Sequence, residues 1–485
     1  MRNVRRARVL VPLMLALFIG ACESFLDVND NPNAPENARV DLRIGALVVG
    51  MGHSVYYLGP QVWSGEWVQQ YSYNRATRNY DEIHRYELQE GTPNSPWQFY
   101  YSQIMNEARL IMRETDPEVD GPIHGFAKFI KAWTWLHTTD MWGPIPFTQA
   151  FTPEIRDPQY DDQPVVYAAA QQMLEESIAD MGRSSVRSLG SGDLLFNGDM
   201  SRWIQLARVV QGRHHLRLAY APWANSQAQA QATLAALQHG FSSNADDVDF
   251  QYPGGDGARN PLWMYQNLWH LYKTSEFMLD DVLRAREDPR LPIMVEPARL
   301  DAVNNEVVYR AHRNGEPQSP DSTISEIGHF FTAENASLNW ASFADQKMME
   351  AEAHLILGNI DAANAAYRLG IRANMEKWGV ASADIDTYLA ARPHLAQVGN
   401  ALEEIIREKY VVNFLKIEPW NDWRRTGYPR LEVVPEAYMA QIPARIRTPS
   451  TEVDRNVHNV TATGISPGLE GMLYRSDKVW WGGQP

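Results

Sequence analysis

From Trp97 onward, large apolar side chains return every third or fourth residue: Trp97, Tyr100, Tyr101, Ile104, Met105, Ala108, Ile111 and Met112. One apolar stripe at this period is the pattern of an amphipathic helix, not the two-residue alternation of a half-buried strand. The period resumes after Asp120-Gly121-Pro122, in Phe126, Phe129, Ile130, Trp133 and Leu136, until Gly143-Pro144 stops it. Val166, Met173, Leu174, Ser177, Ile178 and Met181 mark one helix of a second pair, and Trp203, Leu206, Ala207 and Val210 mark the other. In a third pair, Ala351, Leu355, Gly358, Ala363, Tyr367 and Gly370 fall near the small and aromatic positions of a tetratricopeptide repeat. Gly358-Asn359 sits where the tight turn between its helices belongs. A fourth pair opens at Leu402, Ile405 and Ile406. The pattern predicts an all-α body of degenerate tetratricopeptide-like helix pairs. From Asn225 to Asn339 the pattern weakens and Pro, Gly and Asn are frequent, as in Tyr252-Pro253-Gly254-Gly255-Asp256-Gly257. Long irregular loop insertions are expected there, and loops on a rigid scaffold are where binding function concentrates.

The first 21 residues do not belong to that body. Arg2, Arg5, Arg6 and Arg8 precede an apolar run from Val9 to Ile19, too short to span a bilayer, and small residues lead into Cys22. This is a secretory signal, and its Ile19-Gly20-Ala21-Cys22 ending resembles the bacterial lipobox, whose cysteine is lipidated and becomes the first mature residue. Cys22 is the only cysteine of 485 residues, which makes coincidence a poor account of its position. Residues 1–21 thus read as a lipoprotein signal peptide, 22–45 as a lipidated tether and 46–485 as the folded domain. Acylation by more than one chain, at about 0.8 kcal/mol per buried CH₂, makes such an anchor effectively permanent.

Loss of four signal arginines takes the formal net charge from −15 to −19. So acidic a surface argues against nucleic-acid partners, which require basic patches. A lone cysteine leaves no disulfide framework, so stability rests on burial. Sixteen Trp in an 11% aromatic chain supply the material.

The same aromatics nominate ligand contacts. Trp63, Trp67 and Tyr71 share a helical face, with Tyr73, Asn74, Arg78 and Tyr80 following in a loop. Flat rings stack on sugars or peptide side chains, and Arg and Asn add directional hydrogen bonds. A stripe at this spacing suits a core equally well, so Trp63 and Trp67 carry both readings. Asn260 and Trp263, beyond the glycine-rich 254–257 segment, form a second candidate ligand loop.

Nothing points to catalysis: there is no Gly-x-Ser-x-Gly elbow, no His-Glu-x-x-His, no P-loop, and no cofactor motif. Two carboxylates of a hydrolase would be invisible among 59 acids, so a lipid-anchored hydrolase and a protein-only helical scaffold stand as rivals. Asp246, Asp247 and Asp249 have oxygens for calcium but lack an EF-hand's glycine and terminal glutamate. His137 and Asp140, at i and i+3, lack a third ligand, and adjacent His214 and His215 diverge on a helix. No metal site is expected. Asp422, Arg424 and Arg425, beside Trp420 and Trp423, read as structural ion pairs.

Four segments together resemble the SusD/RagB family of outer-membrane nutrient-binding lipoproteins. They are Cys22-Glu23-Ser24-Phe25-Leu26-Asp27-Val28-Asn29 with Asn31-Pro32-Asn33, then Thr139-Asp140-Met141-Trp142-Gly143-Pro144-Ile145-Pro146-Phe147, Trp420-Asn421-Asp422-Trp423-Arg424-Arg425-Thr426-Gly427-Tyr428-Pro429, and Val479-Trp480-Trp481. The resemblance implies four tetratricopeptide-like pairs and a SusC-like TonB-dependent β-barrel transporter as partner. It implies an oligosaccharide or peptide ligand, held where the lipoprotein covers the barrel. It also implies a cell-surface position on the outer membrane, consistent with acidic Glu23, Asp27 and Asp30 after the lipid.

Overall fold

A computed structural model describes residues 40–52, 59–74, 82–473 and 481. Cys22, Arg78 and Tyr80 lie outside the described residues. The helices that build the scaffold are α1 Val40–Gly50, α2 Pro60–Trp67, α3 Asn106–Glu114, α4 Gly121–Trp142, α5 Gln163–Met181, α6 Met200–Leu218, α7 Ser226–Leu237, α8 Phe343–Ile356, α9 Ile360–Lys377, α10 Ser382–Ala390, α11 Ala401–Val412 and α12 Glu418–Thr426. Helix α3 continues a helical stretch from Asn94 whose middle, Phe99–Met105, is a wide π segment. Helix α1 begins at Val40 and buries Ile44, Leu47 and Val48, so the packed body starts inside the stretch read as tether.

Local chemistry sets the boundaries. The side chains of Asp199, Asn225, Ser342 and Asn400 accept the orphan backbone N–H groups at the starts of α6, α7, α8 and α11. Helix α4 has Pro122 in its first turn and ends at Gly143, φ 77°. It is buried around almost its whole circumference, lying against α5 on one side and α3 on another. At Gly125 the two backbones nearly touch: a Cβ there would fall 2.6 Å from Met181 N and 2.7 Å from Ser177 O. Gly125→Ala is therefore expected to cost about 1–3 kcal/mol, read as a lower denaturant midpoint with an unchanged slope.

The expected third pair is the hairpin α8–α9, closed at Gly358 with φ 77°. Helix α7 is an addition to the sequence reading. It forms a hairpin with α6, inside the stretch assigned to loops, and packs also on α8. It buries only Ala230, Thr233, Ala236 and Leu237, and a single large apolar side chain among small ones leaves no strong apolar stripe. The rest of the insertion is irregular as expected. It holds one- and two-turn helices and short strands: β1 Tyr71–Tyr73 pairs antiparallel with β5 Tyr272–Thr274, and β4 Val248–Phe250 pairs with β6 Leu338–Ala341. Strands β2 Ile145–Pro146 and β3 Tyr160–Asp161 form a third ribbon.

Two features lock the scaffold. One is a buried ion network: Glu352 on α8 takes Arg425 in a two-pronged pair and lies 3.4 Å from the Lys409 ammonium. Asp422 completes it, 2.6 Å from Arg425 and 3.2 Å from Lys409. Burial alone would raise the Glu352 carboxyl, but Arg425 and Lys409 hold it below the usual carboxylate range. The other is closure of early segments by late ones. Tyr410 donates to Val68 O at 2.7 Å, Gln70 donates to Tyr410 O at 3.0 Å, and Trp67 meets Trp420 edge-on at 5.6 Å. Trp142 donates to Arg447 O, and Trp481 donates to the Asp140 carboxylate at 2.8 Å. Among the described residues no helix is long and apolar enough to cross a membrane.

Candidate functional site: an aromatic surface on the insertion

The β1–β5 ribbon carries a line of tyrosines outward from the core. Tyr272 meets Tyr71 at 5.2 Å, Tyr73 at 6.0 Å and Tyr265 at 6.1 Å, and Tyr265 meets Trp269 at 5.3 Å. Trp269 is 39% exposed. The segment between them explains that exposure. Asn260 caps a single turn, Pro261–Trp263, by accepting from Leu262 N at 2.8 Å, and the chain widens into a π turn over Met264–Leu268. His270 then takes a left-handed φ of 51° and turns the chain into β5. The result leaves Met264, Leu268 and Trp269 exposed and Trp263 half-buried, four large apolar side chains within seven residues. Apolar surface gathered in this way marks a contact site more often than scattered single residues do. The Arg259 guanidinium lies 4.3 Å over the Trp263 ring and is itself held by Asp256 at 2.9 Å and Glu334 at 3.0 Å.

Charged groups adjoin the rings. Glu326 accepts from the fully buried Lys273 at 2.7 Å and lies 3.1 Å from His270 Nδ1 and 3.4 Å from Arg299 Nε. Arg299 donates to His270 Nε2 at 3.2 Å, which places the imidazole proton on Nδ1, facing Glu326. Burial pushes the Lys273 ammonium below its ordinary value while Glu326 pulls the other way. Burial would raise Glu326, but Lys273 and its hydrogen bonds hold that carboxyl below the usual range. Beside the exposed rings stands a fixed set of donors and acceptors, the equipment for orienting a hydroxyl-rich or amide-rich ligand.

The residues nominated from sequence separate into two groups. Trp67 is wholly buried, with Nε1 donating to Ile83 O at 3.0 Å, and Trp63 is buried too. Both take the core reading, because their rings face the packed interior. Tyr73 is buried in the ribbon. Asn74 is buried and spends its amide on the 319–321 loop, donating to Ser319 O and Asp321 Oδ1 at 2.9 Å and accepting from Ser319 N at 2.8 Å. It positions that loop. Asn260 likewise holds its turn, donating to Phe331 O and Ala336 O. Among the described residues, Trp263 is the nominated one that reaches the surface. Trp269, His270, Arg299 and Glu326 were not nominated. For Trp269 the signal is the run from Trp263 to Trp269, rich in large apolar residues inside a Pro- and Gly-rich stretch, whereas no local pattern marks Arg299 or Glu326.

The metal readings meet other occupants. The Lys377 ammonium lies 2.7 Å from Asp247 and 2.9 Å from Asp249, in the position a calcium ion would take. Asp246 closes a capping box with Ser243. Asp140 accepts from Tyr167, Arg217 and Trp481, and burial drives His137 down to about 4. His214 lies 2.7 Å from Val210 O. Among the described residues no three His, Cys, Asp or Glu side chains are placed to hold a metal ion. An open polar cavity of about 320 Å³ beside Gln69, Arg313 and Val433 offers little stacking surface, since its one aromatic, Phe277, packs edge-on against Tyr410 at 5.8 Å.

A SusD-like family model, described as starch-binding and associating with the outer membrane, matches residues 53–449. Among solved structures, a chitin-binding protein superposes with a TM-score of 0.77 at 24% identity, covering 92% of this chain and 100% of its own. A SusD/RagB family protein from Bacteroides thetaiotaomicron gives 0.78 at 19% identity, covering 92% and 100%. A chitin-binding SusD homolog from Flavobacterium johnsoniae gives 0.74 at 20% identity, covering 90% and 98%. Likeness at these identities is likeness of fold. No curated protein matches the sequence.

Proposed function

This chain belongs to the SusD-like family, and from that premise we propose that it is a lipid-anchored, cell-surface nutrient-binding protein of the outer membrane. It binds an oligosaccharide, without chemistry, and delivers it to a SusC-like TonB-dependent β-barrel transporter. The observation that carries the reading is the Trp263–Trp269 surface beside the Lys273–Glu326–His270–Arg299 cluster. Exposed rings give a sugar its apolar stacking face, and fixed charged groups supply directional bonds to hydroxyls. Glycan is favoured over peptide because two proteins of the same fold are described as chitin-binding. Cys22 supplies the anchor, and the polar stretch after it gives the body reach from the lipid.

The partner is tested by gentle detergent extraction of the full-length lipoprotein from its native outer membrane. Recovery of a large β-barrel protein in near-equal amount is the expected result. Recovery of the lipoprotein alone, under conditions that preserve other membrane complexes, removes the transporter from the proposal.

A further inference from the structure

Lys128 and Lys131 stand one turn apart on α4 and have very different neighbours. Lys128 lies 2.7 Å from Asp180 and 3.2 Å from Glu176, the ordinary arrangement for a lysine in an acidic chain. Lys131, half-buried, makes no hydrogen bond or ion pair with any described residue. Its ammonium stands 5.6 Å over the Phe151 ring, and the Arg109 guanidinium of α3 stands 5.7 Å over the same ring. Burial and then Arg109 lower the Lys131 ammonium, and no carboxylate of the described residues offsets them.

The floor beneath the two cations is fixed. Phe151 has a φ of 62°, left-handed backbone that a bulky side chain adopts only where its surroundings impose it. Trp135 meets its ring edge-on at 6.1 Å and Tyr101 meets it at 6.2 Å, so the turn between β2 and β3 cannot swing the ring away. Asn106 Oδ1 accepts from Arg109 Nε at 3.2 Å and from Nη2 at 2.9 Å, which holds the guanidinium in place. Arg113, one turn further along α3, is exposed and adds charge on the same side of that helix.

A ligand for this pair must bring negative charge and acceptor oxygens. Lys131 retains its ammonium protons, and Arg109 retains the N–H donors that Asn106 does not take. A carboxylate carries a single charge and leaves one cation unanswered. A phosphate monoester has three terminal oxygens and a charge of about −1.5 to −2 at neutral pH, which answers both. In a chain of net charge −15, carboxylates are plentiful, so two adjacent cations without one are out of keeping. Free phosphate and lipid headgroups both offer such a group, and position favours the lipid. Helix α1 is the first described after Cys22, and its Arg43 lies 2.9 Å from Glu114 and 3.8 Å from Glu107 on α3. The cations therefore stand one helix away from where the tether joins the body. From Cys22 to Val40 the chain reaches at most about 65 Å when fully extended.

We propose that Arg109 and Lys131, on the Phe151 floor, hold a phosphate monoester of a lipid headgroup and so set which face of the body turns toward the membrane. The proposal rests on the lipid-anchor reading and goes beyond it, from attachment to orientation.

The test uses residues 22–485 with Cys22→Ser, so that no acyl chain contributes. Flotation compares vesicles of phosphatidylcholine alone with vesicles containing about 20 mol % phosphatidic acid, and calorimetry titrates inorganic phosphate. Expected are about tenfold stronger partition onto the phosphatidic acid vesicles and only weak binding of the free ion. Arg109→Gln with Lys131→Gln should abolish the preference at an unchanged melting temperature, because both side chains are half-buried and neither is in an ion pair. Removing two exposed charges elsewhere, in Arg313→Gln with Arg430→Gln, should leave the preference intact. Equal partition onto both vesicles overturns the headgroup assignment. So does a preference that survives Arg109→Gln with Lys131→Gln, or one lost equally in both double variants. Inorganic phosphate bound as strongly as the vesicles overturns it too. The anchor is read separately, by mass spectrometry of the native N-terminus. Acyl chains on Cys22 keep the anchor whatever the vesicles show, and a bare Cys22 overturns both.

Discussion

Glu352→Ala is expected to destabilise the folded protein by about 3–5 kcal/mol, the range for removing one partner from a buried charge network. The carboxylate has no exposure, and its loss leaves Arg425 and Lys409 to share Asp422 alone. Both cations are almost wholly buried. The network spans α8, α11 and α12, and Tyr220 lies under the Arg425 guanidinium at 4.9 Å, so the damage extends beyond one helix. The measurement is chemical denaturation followed by circular dichroism. Glu118→Ala serves as the contrast, because Glu118 meets Arg183 in solvent, where an ion pair contributes little. If both substitutions move the midpoint equally, the buried network is not what holds these helices together.

The second large effect falls on binding. Trp269→Ala is expected to weaken oligosaccharide affinity about 30-fold, roughly 2 kcal/mol, as for a central aromatic anchor. Trp263→Ala combined with it should reduce affinity more than a hundredfold, short of strict additivity because the rings share one short segment. Trp269 is partly exposed, so thermal stability should hardly change, whereas Trp67→Ala should lower it sharply without a selective effect on affinity. Isothermal calorimetry beside a melting curve separates the two. An affinity change below threefold in the double variant would move the ligand site elsewhere.

The contrast between Trp67 and Trp269 shows how far the sequence can be read. The helices were legible because burying one face imposes a period on large side chains, and α4, α5, α8 and α9 carry it. Helix α7 was not, since alanine and threonine pack closely without producing a stripe. At the site, residue type told less than context. Trp67 and Trp269 are the same side chain, and burial against Trp420, 353 positions away, distinguishes them. Asn74 looked like a ligand donor because it stands among aromatic and arginine residues in a segment read as a loop. Its real partners, Ser319 and Asp321, sit in a loop that no local pattern ties to it. Glu326 and Arg299 join His270 in the same way, from segments distant in sequence.

The closure of early segments by late ones sets a clock on biogenesis. Gln70 waits for Tyr410, 340 residues downstream. At a synthesis rate of about 5–20 residues per second, the interval is roughly 20–70 s. Throughout that time the ribosome holds a chain whose Trp67 has no Trp420 to cover it and whose Asp140 has no Trp481. Such a chain is a thread with unfinished cores. The same delay leaves aromatic surface uncovered until synthesis is nearly complete.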